Sequence, residues 1–135
     1  MNIVKLTDTV AVSAQITPAN VADVAAAGYK VLINNRPDGE EAGQPGSAEI
    51  AAAAEAAGLE YHHIPITAMN FPGPHFEQMS DLLDDAQRPV LAFCRTGTRC
   101  TNLWVASRDE SARQQAVDQA RQLGYDLGMV APMLS

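Results

Sequence analysis

Short apolar runs of strand length alternate with helix-like segments along the whole chain. The strand-like runs are Ile3–Leu6, Thr9–Ser13, Lys30–Asn35, Leu59–Ile66 and Pro89–Phe93. Helix-like segments are predicted between Thr17 and Gly28 and over Ser47–Ala57, His75–Ala86, Cys100–Ser107 and Ser111–Leu123, with a short final turn near Tyr125–Leu134. This alternation predicts an α/β fold of three layers, in which a mostly parallel central sheet carries helices on both faces.

The composition suits one domain and excludes several classes of partner. With 135 residues, 47% of them hydrophobic, the chain is expected to form a single domain over residues 1–135. Its net charge of −7 argues against binding to nucleic acid or to an anionic membrane, both of which need clustered Lys and Arg. The first ten residues resemble neither a signal peptide nor a membrane span, so we expect a cytoplasmic protein.

Three loops are expected to meet at one edge of the predicted sheet. In open α/β sheets, ligands bind outside the carboxyl ends of the strands. The loops after Asn35, Ile66 and Phe93 should therefore face one another, and any chemistry should be assembled from them.

The loop after Phe93 carries the strongest chemical signal in the sequence. We call residues 94–99, which read Cys-Arg-Thr-Gly-Thr-Arg, the signature loop. An apolar strand ends on Cys94 and a helix follows, so backbone N–H groups and the positive end of the helix should favour a thiolate there. Arg99 can hold an oxyanion through two parallel hydrogen bonds. We therefore assign Cys94 as the nucleophile and Arg99 as the oxyanion clamp.

Several neighbouring residues are expected to support this pair. Anion binding is assigned to the amides or side chains of Arg95, Thr96, Gly97 and Thr98, and to Arg36 at the end of a central strand. Asp38 is a possible acid, and Cys100 either takes part in the chemistry or is a small buried residue. For Glu40 and Glu41 the sequence favours a solvated turn over a catalytic role.

We expect no metal ion and no cofactor. His62 and His63 are adjacent on a strand and so point to opposite faces.

The spacing within the signature loop separates two enzyme classes. Tyrosine and dual-specificity phosphatases have Cys, five residues, then Arg, whereas rhodanese-type sulfurtransferases often have Cys-Arg-x-Gly-x-Arg. Four residues separate Cys94 from Arg99, which matches the second spacing. Residues 10–41, YHHIPIT at 61–67 and LAFCRTGTRCTNLW at 91–104 nevertheless resemble the beta-lactamase-hydrolase-like phosphatase-like family.

That resemblance implies a cysteine-phosphatase-like fold of the dual-specificity type. It also implies sulfur chemistry, because some members of the family are fused to or associated with sulfide-oxidising enzymes and are regarded as sulfurtransferases. A sulfide-oxidising enzyme is therefore a possible partner.

Three functions follow from these observations. A phosphatase needs a proton donor, and the loop Thr67–Pro74 contains no carboxylate. We therefore expect first a sulfurtransferase that carries a Cys94 persulfide, taking sulfur from thiosulfate or a small persulfide. The alternative is a phosphatase that forms a Cys94 phospho-enzyme on a phosphate ester. A third possibility is a non-enzymatic protein that binds an anion or uses Cys94 and Cys100 as a redox switch.

Overall fold

A five-stranded sheet forms the centre of the protein in the computed structural model, which describes residues 1–134. Its strands are β1 (Val4–Lys5), β2 (Val10–Ser13), β3 (Val31–Asn34), β4 (Glu60–His63) and β5 (Val90–Phe93). Their order across the sheet is β1-β2-β5-β3-β4. The hairpin partner β1 is antiparallel to β2, and all other pairs are parallel. The mostly parallel sheet expected from the sequence is thus confirmed.

Five α-helices connect and follow these strands. They are α1 (Pro18–Ala26), α2 (Ser47–Ala56), α3 (Phe76–Asp84), α4 (Thr98–Ser107) and α5 (Glu110–Gln122), and a 3₁₀ turn follows at Ala131–Met133. The start of α1 shows how local sequence sets these limits. The Thr17 side chain accepts a hydrogen bond from the Asn20 N–H over 3.3 Å, and the Asn20 side chain accepts one from the Thr17 N–H over 2.9 Å. This reciprocal cap satisfies N–H groups that a helix start leaves free.

Helices cover both faces of the sheet and create two apolar cores. Val21 and Val24 of α1 and Ile50 of α2 pack on one face. The other face packs against α3, α4 and α5, with Met79 and Leu103 fully buried. Strand β5 lies between β2 and β3, and all of its side chains are buried. The residue that follows β5 is therefore held at the centre of the sheet edge.

Several boundaries differ from the sequence prediction, and two of them adjoin the loops at the sheet edge. Strand β4 covers Glu60–His63 rather than Leu59–Ile66, although the Ile64 and Ile66 N–H groups still donate to the Asn34 and Asn35 carbonyls over 2.9 and 3.0 Å. Helix α4 begins at Thr98, two residues before the predicted Cys100. The N–H and hydroxyl of Thr101 both donate to the Gly97 carbonyl, over 3.1 and 2.8 Å, and so extend the helix toward the signature loop.

Neither a membrane span nor a metal-binding cluster is found within residues 1–134. No helix there is long and apolar enough to cross a bilayer, and no group of three or more His, Cys, Asp or Glu residues could hold a metal ion. The cytoplasmic location stays a prediction.

Candidate active site

The signature loop leaves the centre of the sheet and turns directly into α4. The Cys94 N–H donates to the Ser13 carbonyl at the end of the neighbouring strand β2, over 3.4 Å. Gly97 then adopts a left-handed conformation with φ of 90°, which favours glycine. This turn points the Gly97 N–H at Cys94 Sγ, 3.1 Å away. The loop therefore wraps donors around a sulfur atom whose residue is only 1% exposed.

These donors make Cys94 a thiolate at neutral pH. A hydrogen bond from the Cys100 thiol, supported by the backbone N–H groups of Cys100, Thr96 and Arg99, lowers the pKa of Cys94 from its usual 9.0 to about 5, although burial opposes the shift. Burial and the adjacent Cys94 charge raise the pKa of Cys100 well above 9.0, so Cys100 stays protonated. The two cysteines thus have opposite states, one a thiolate and the other a thiol that donates to it.

The pH dependence of alkylation tests this assignment. We expect the rate at which iodoacetamide alkylates Cys94 to reach half its maximum near pH 5, because only the thiolate reacts and it is protonated below that pH. Peptide mass spectrometry distinguishes Cys94 from Cys100. In Cys100→Ala the midpoint should rise, since the largest stabilising hydrogen bond is lost. A wild-type midpoint near 9 would contradict the assignment.

Glu40, on the loop after β3, holds the guanidinium of Arg99. Arg99 Nη1 and Nη2 donate to the two carboxylate oxygens over 2.9 and 2.8 Å, and Nη1 also donates to the Ile66 carbonyl over 3.0 Å. No acceptor among residues 1–134 bonds the Arg99 Nε–H or the second Nη2–H. These two donors share one edge of the guanidinium, which can hold two oxygens of an anion in parallel.

Arg36 also binds Glu40, at the oxygen that accepts from Arg99 Nη2. Its guanidinium is 2% exposed and donates to Glu40 Oε1 over 2.9 Å, to Gln15 Oε1 over 3.0 Å and to Glu41 Oε1 over 3.3 Å. The hydrogen bonds from Arg99 and Arg36 hold the pKa of Glu40 below its usual 4.5, although burial opposes them. Anion binding by Arg36 itself stays a prediction. Its guanidinium lines the cavity, bonds three protein side chains and positions Glu40, and through it Arg99.

Asp38 lies in the same loop but supports the backbone. Its Oδ1 accepts a hydrogen bond from the Ser47 N–H over 2.8 Å at the start of α2. The Ser47 hydroxyl contacts the Tyr61 hydroxyl over 2.7 Å, and Tyr61 in turn accepts from Asn34 Nδ2 over 3.1 Å. This chain of contacts fixes the loop that carries Arg36 and Glu40. The sequence favours Asp38 over its acidic neighbours as the possible acid, and that role stays a prediction.

Two of the three loops enclose a cavity of about 460 Å³, lined by Arg36, Glu40, Glu41, Arg95 and Arg99. Arg95 lies at its rim, with a side chain that is 63% exposed and 4.0 Å from the Glu41 carboxylate. The Thr96 hydroxyl donates to the Thr98 hydroxyl over 2.9 Å, and both residues shape the turn into α4. The signature loop and the loop after β3 supply all five of these side chains.

The C-terminal segment supports the signature loop from behind. Asn102 of α4 is fully buried, and its Nδ2 donates to the carbonyls of Thr98 and Asp126, each over 2.8 Å. Its Oδ1 accepts from the Val130 N–H over 3.1 Å. Tyr125 lies beside Gly97, and a Cβ added at Gly97 would be 3.4 Å from the Tyr125 hydroxyl. Helix α4 and the loop before it are thus tied to residues 125–130.

The paired histidines have separate roles. His62 Nε2 contacts Glu60 over 2.6 Å, whereas His63 Nε2 contacts the Arg36 carbonyl over 2.8 Å. His63 therefore supports the backbone of the loop after β3.

Sequence reasoning missed four residues of this site: Gln15, Glu40, Asn102 and Tyr125. Glu40 and Arg99 are 59 positions apart, and Asn102 and Asp126 are 24 apart, so no local pattern joins them. One signal was available for Glu40, because an acidic residue next to the end of a central strand lies at the edge where the loops converge.

Comparison with known proteins identifies the family. The family model of beta-lactamase hydrolase-like protein, phosphatase-like domain, matches residues 2–111. A beta-lactamase hydrolase-like protein of Agrobacterium fabrum is 34% identical over 118 residues, which are 87% of this chain and 27% of that protein. One from Xylella fastidiosa is 32% identical over 138 residues, covering 99% of this chain and 32% of that protein. The chain therefore spans less than a third of the length of these curated relatives.

Solved structures share the fold. The crystal structure of a candidate phosphatase from Neisseria meningitidis has a TM-score of 0.83 and 37% identity, covering 100% of this chain and 97% of that one. The phosphatase Tk-PTP in its active form has a TM-score of 0.68 and 22% identity, covering 98% and 95%. These likenesses favour the phosphatase alternative over the expected sulfurtransferase. The chain belongs to the family of phosphatase-like domains of beta-lactamase hydrolase-like proteins.

Proposed function

We propose that this chain hydrolyses phosphate monoesters through a phosphoryl group carried on Cys94. The observation that carries the proposal is a thiolate, with its pKa lowered to about 5, beside an arginine that keeps one edge of two donors free. Burial lowers the pKa of Arg99, but the hydrogen bond and the charge of Glu40, together with the charge of the Cys94 thiolate, outweigh it and raise that pKa. The likeness to phosphatases supports the same reaction.

Each part of the site suits a step of this reaction. The Cys94 thiolate attacks phosphorus, and the P–O bond to the leaving group breaks in line with that attack. The N–H groups of the signature loop and the free edge of Arg99 stabilise the phosphoryl oxygens, on which negative charge is spread. Glu40 holds Arg99 in place before substrate arrives, so little reorganisation is needed. The substrate class is a small phosphate ester.

Sulfur transfer is a second candidate, favoured by one specific observation. Only four residues separate Cys94 from Arg99, and the loop Thr67–Pro74 carries no carboxylate to protonate an alkoxide. A persulfide on Cys94 needs donors for the departing sulfite or thiolate but no such acid. In that case the substrate would be thiosulfate or a small persulfide, and a sulfide-oxidising enzyme would be a natural partner.

Intact mass spectrometry after acid quenching separates the candidates. Wild-type protein is incubated in parallel with nitrophenyl phosphate and with thiosulfate, and turnover of each is measured in the same samples. We expect a mass gain of one phosphoryl group together with steady release of nitrophenol. Both should be absent in Cys94→Ser, which keeps a similar shape but lacks the thiolate.

The other outcomes would contradict the proposal. Gain of one sulfur atom without phosphate turnover would assign sulfur transfer. Neither adduct, combined with a Cys94–Cys100 disulfide on mild oxidation, would favour the non-enzymatic redox switch.

A further inference from the structure

The proposed reaction lacks an assigned proton donor. An alkoxide or phenolate leaves poorly unless it is protonated, and a positioned carboxylic acid commonly supplies the proton. The loop after β4 offers none, because Thr67–Pro74 contains neither Asp nor Glu. Within the described residues, the side chains that line the cavity include two carboxylates, Glu40 and Glu41.

Glu40 cannot release a proton in this arrangement. Its Oε1 accepts from Arg36 Nε over 2.9 Å and from Arg99 Nη2 over 2.8 Å, and its Oε2 accepts from Arg99 Nη1 over 2.9 Å. Both oxygens are therefore held by charged donors, which favour the ionised carboxylate. Glu40 is a positioning residue for Arg99.

Glu41 is bound far more weakly. Its Oε1 lies 3.3 Å from Arg36 Nη2, its Oε2 lies 4.0 Å from the exposed Arg95, and its side chain is 56% exposed. Asp38, the other acid of this loop, bonds the Ser47 N–H and does not line the cavity. Glu41 is thus the carboxylate that combines a place at the cavity with an oxygen free to exchange a proton.

We propose that Glu41 protonates the leaving group and then activates the attacking water. This assignment rests on the proposed phosphatase function. In the first step Cys94 sulfur bonds phosphorus, the ester P–O bond breaks, and the Glu41 carboxylic acid transfers its proton to the departing oxygen. In the second step the Glu41 carboxylate takes a proton from water while the water oxygen bonds phosphorus and the S–P bond breaks. The products are an alcohol or phenol and inorganic phosphate, and both groups return to their starting states.

The charges around Glu41 fit the carboxylate that the first step leaves and the second step uses. Arg36 and Arg95 face its two oxygens, and after the leaving group has gone these two arginines stabilise the newly formed carboxylate. Their contacts, at 3.3 and 4.0 Å, are longer than those that hold Glu40, so they bind the carboxyl group of Glu41 less tightly. The Glu41 side chain is 56% exposed and lines the cavity, so it is open to a leaving group that projects from the cavity.

Leaving-group dependence in Glu41→Gln tests the proposal. The ratio kcat/KM reports the steps up to departure of the leaving group, so only that first step is compared. On phenyl phosphate, a poor leaving group, we expect kcat/KM to fall about 100-fold. On dinitrophenyl phosphate, whose phenolate needs no proton, it should change little, and the Cys94 phosphoryl adduct should accumulate because the water lacks its base.

Asp38→Asn is the matched control, since it removes a carboxylate from the same loop that does not line the cavity. It should change kcat/KM for both esters by the same factor. Glu41→Ala provides a second variant, and thermal melting checks that each variant is folded.

Two results would overturn the assignment, and they are distinguishable. Equal effects of Glu41→Gln on both esters, or none, would exclude Glu41 as the acid while leaving Cys94-dependent hydrolysis intact. Absence of wild-type hydrolysis of either ester would overturn the proposed function and this assignment together.

Discussion

Replacing Arg99 by methionine is expected to lower kcat/KM for phosphate esters about 100- to 1000-fold, the usual result of losing a preorganised oxyanion donor. Methionine keeps the length and apolar stem of the side chain but removes both free N–H groups. The remaining loop amides still bind the phosphoryl oxygens, so some turnover should survive. Steady-state kinetics with nitrophenyl phosphate measures the effect.

Two further variants identify the cause of that loss. Arg99→Lys keeps the charge but not the pair of parallel donors, so its activity should lie between those of the wild type and Arg99→Met. Arg95→Met removes an exposed arginine of the same loop and should have a much smaller effect. Similar losses in the Arg95 and Arg99 variants would show that the cavity needs positive charge in general rather than the geometry of Arg99.

Replacing Gly97 by alanine is expected to disable the nucleophile. Gly97 has φ of 90°, and a side chain in this left-handed region costs about 1–2 kcal/mol. The added Cβ would also lie 3.4 Å from the Tyr125 ring and 3.5 Å from the Ser13 carbonyl. If the loop relieves this strain by rotating, the Gly97 N–H no longer points at Cys94 Sγ. We expect alkylation of Cys94 at pH 4, well below its midpoint, to slow about tenfold, because a loss of some 1.4 kcal/mol lowers the thiolate fraction about tenfold at that pH.

Gly124 supplies a matched control for backbone strain. Its φ is 91°, and no atom lies within 4 Å of an added Cβ. Gly124→Ala should therefore lower the melting temperature as Gly97→Ala does, while Cys94 alkylation and ester hydrolysis keep their wild-type rates. If Gly97→Ala left both rates unchanged, the left-handed turn would not be what positions the thiolate.

Local signals in the sequence were sufficient for the layers of the fold. Thr17 and Pro18 predict the start of α1, and the structure shows the Thr17 cap. The apolar run before Cys94 predicts a buried strand, and β5 is buried at all four positions. These features depend on hydrogen bonds and burial within a few residues, which a periodic pattern reports directly.

The hydrogen bonds and ion pairs that join the site residues could not be predicted in the same way. Whether Glu40 is solvated or bound between Arg36 and Arg99 depends on the order of the strands and on the path of two loops. Loop paths are set by contacts such as Asn34 with Tyr61, which lie 27 positions apart. The spacing in the signature loop and the absence of a carboxylate from Thr67–Pro74 favour sulfur transfer, whereas the likeness to a phosphatase-like structure spans the whole chain and favours the phosphatase alternative.

The buried amide of Asn102 limits how short a transferable form of this domain can be. Two of its three partners are the carbonyl of Asp126 and the N–H of Val130, both beyond residue 111, where the family match ends. Recombination that joined only residues 2–111 to a new neighbour would leave that amide with the Thr98 carbonyl alone and would remove the support behind the signature loop. The smallest piece that can be moved between longer proteins with its chemistry intact therefore extends at least to Val130.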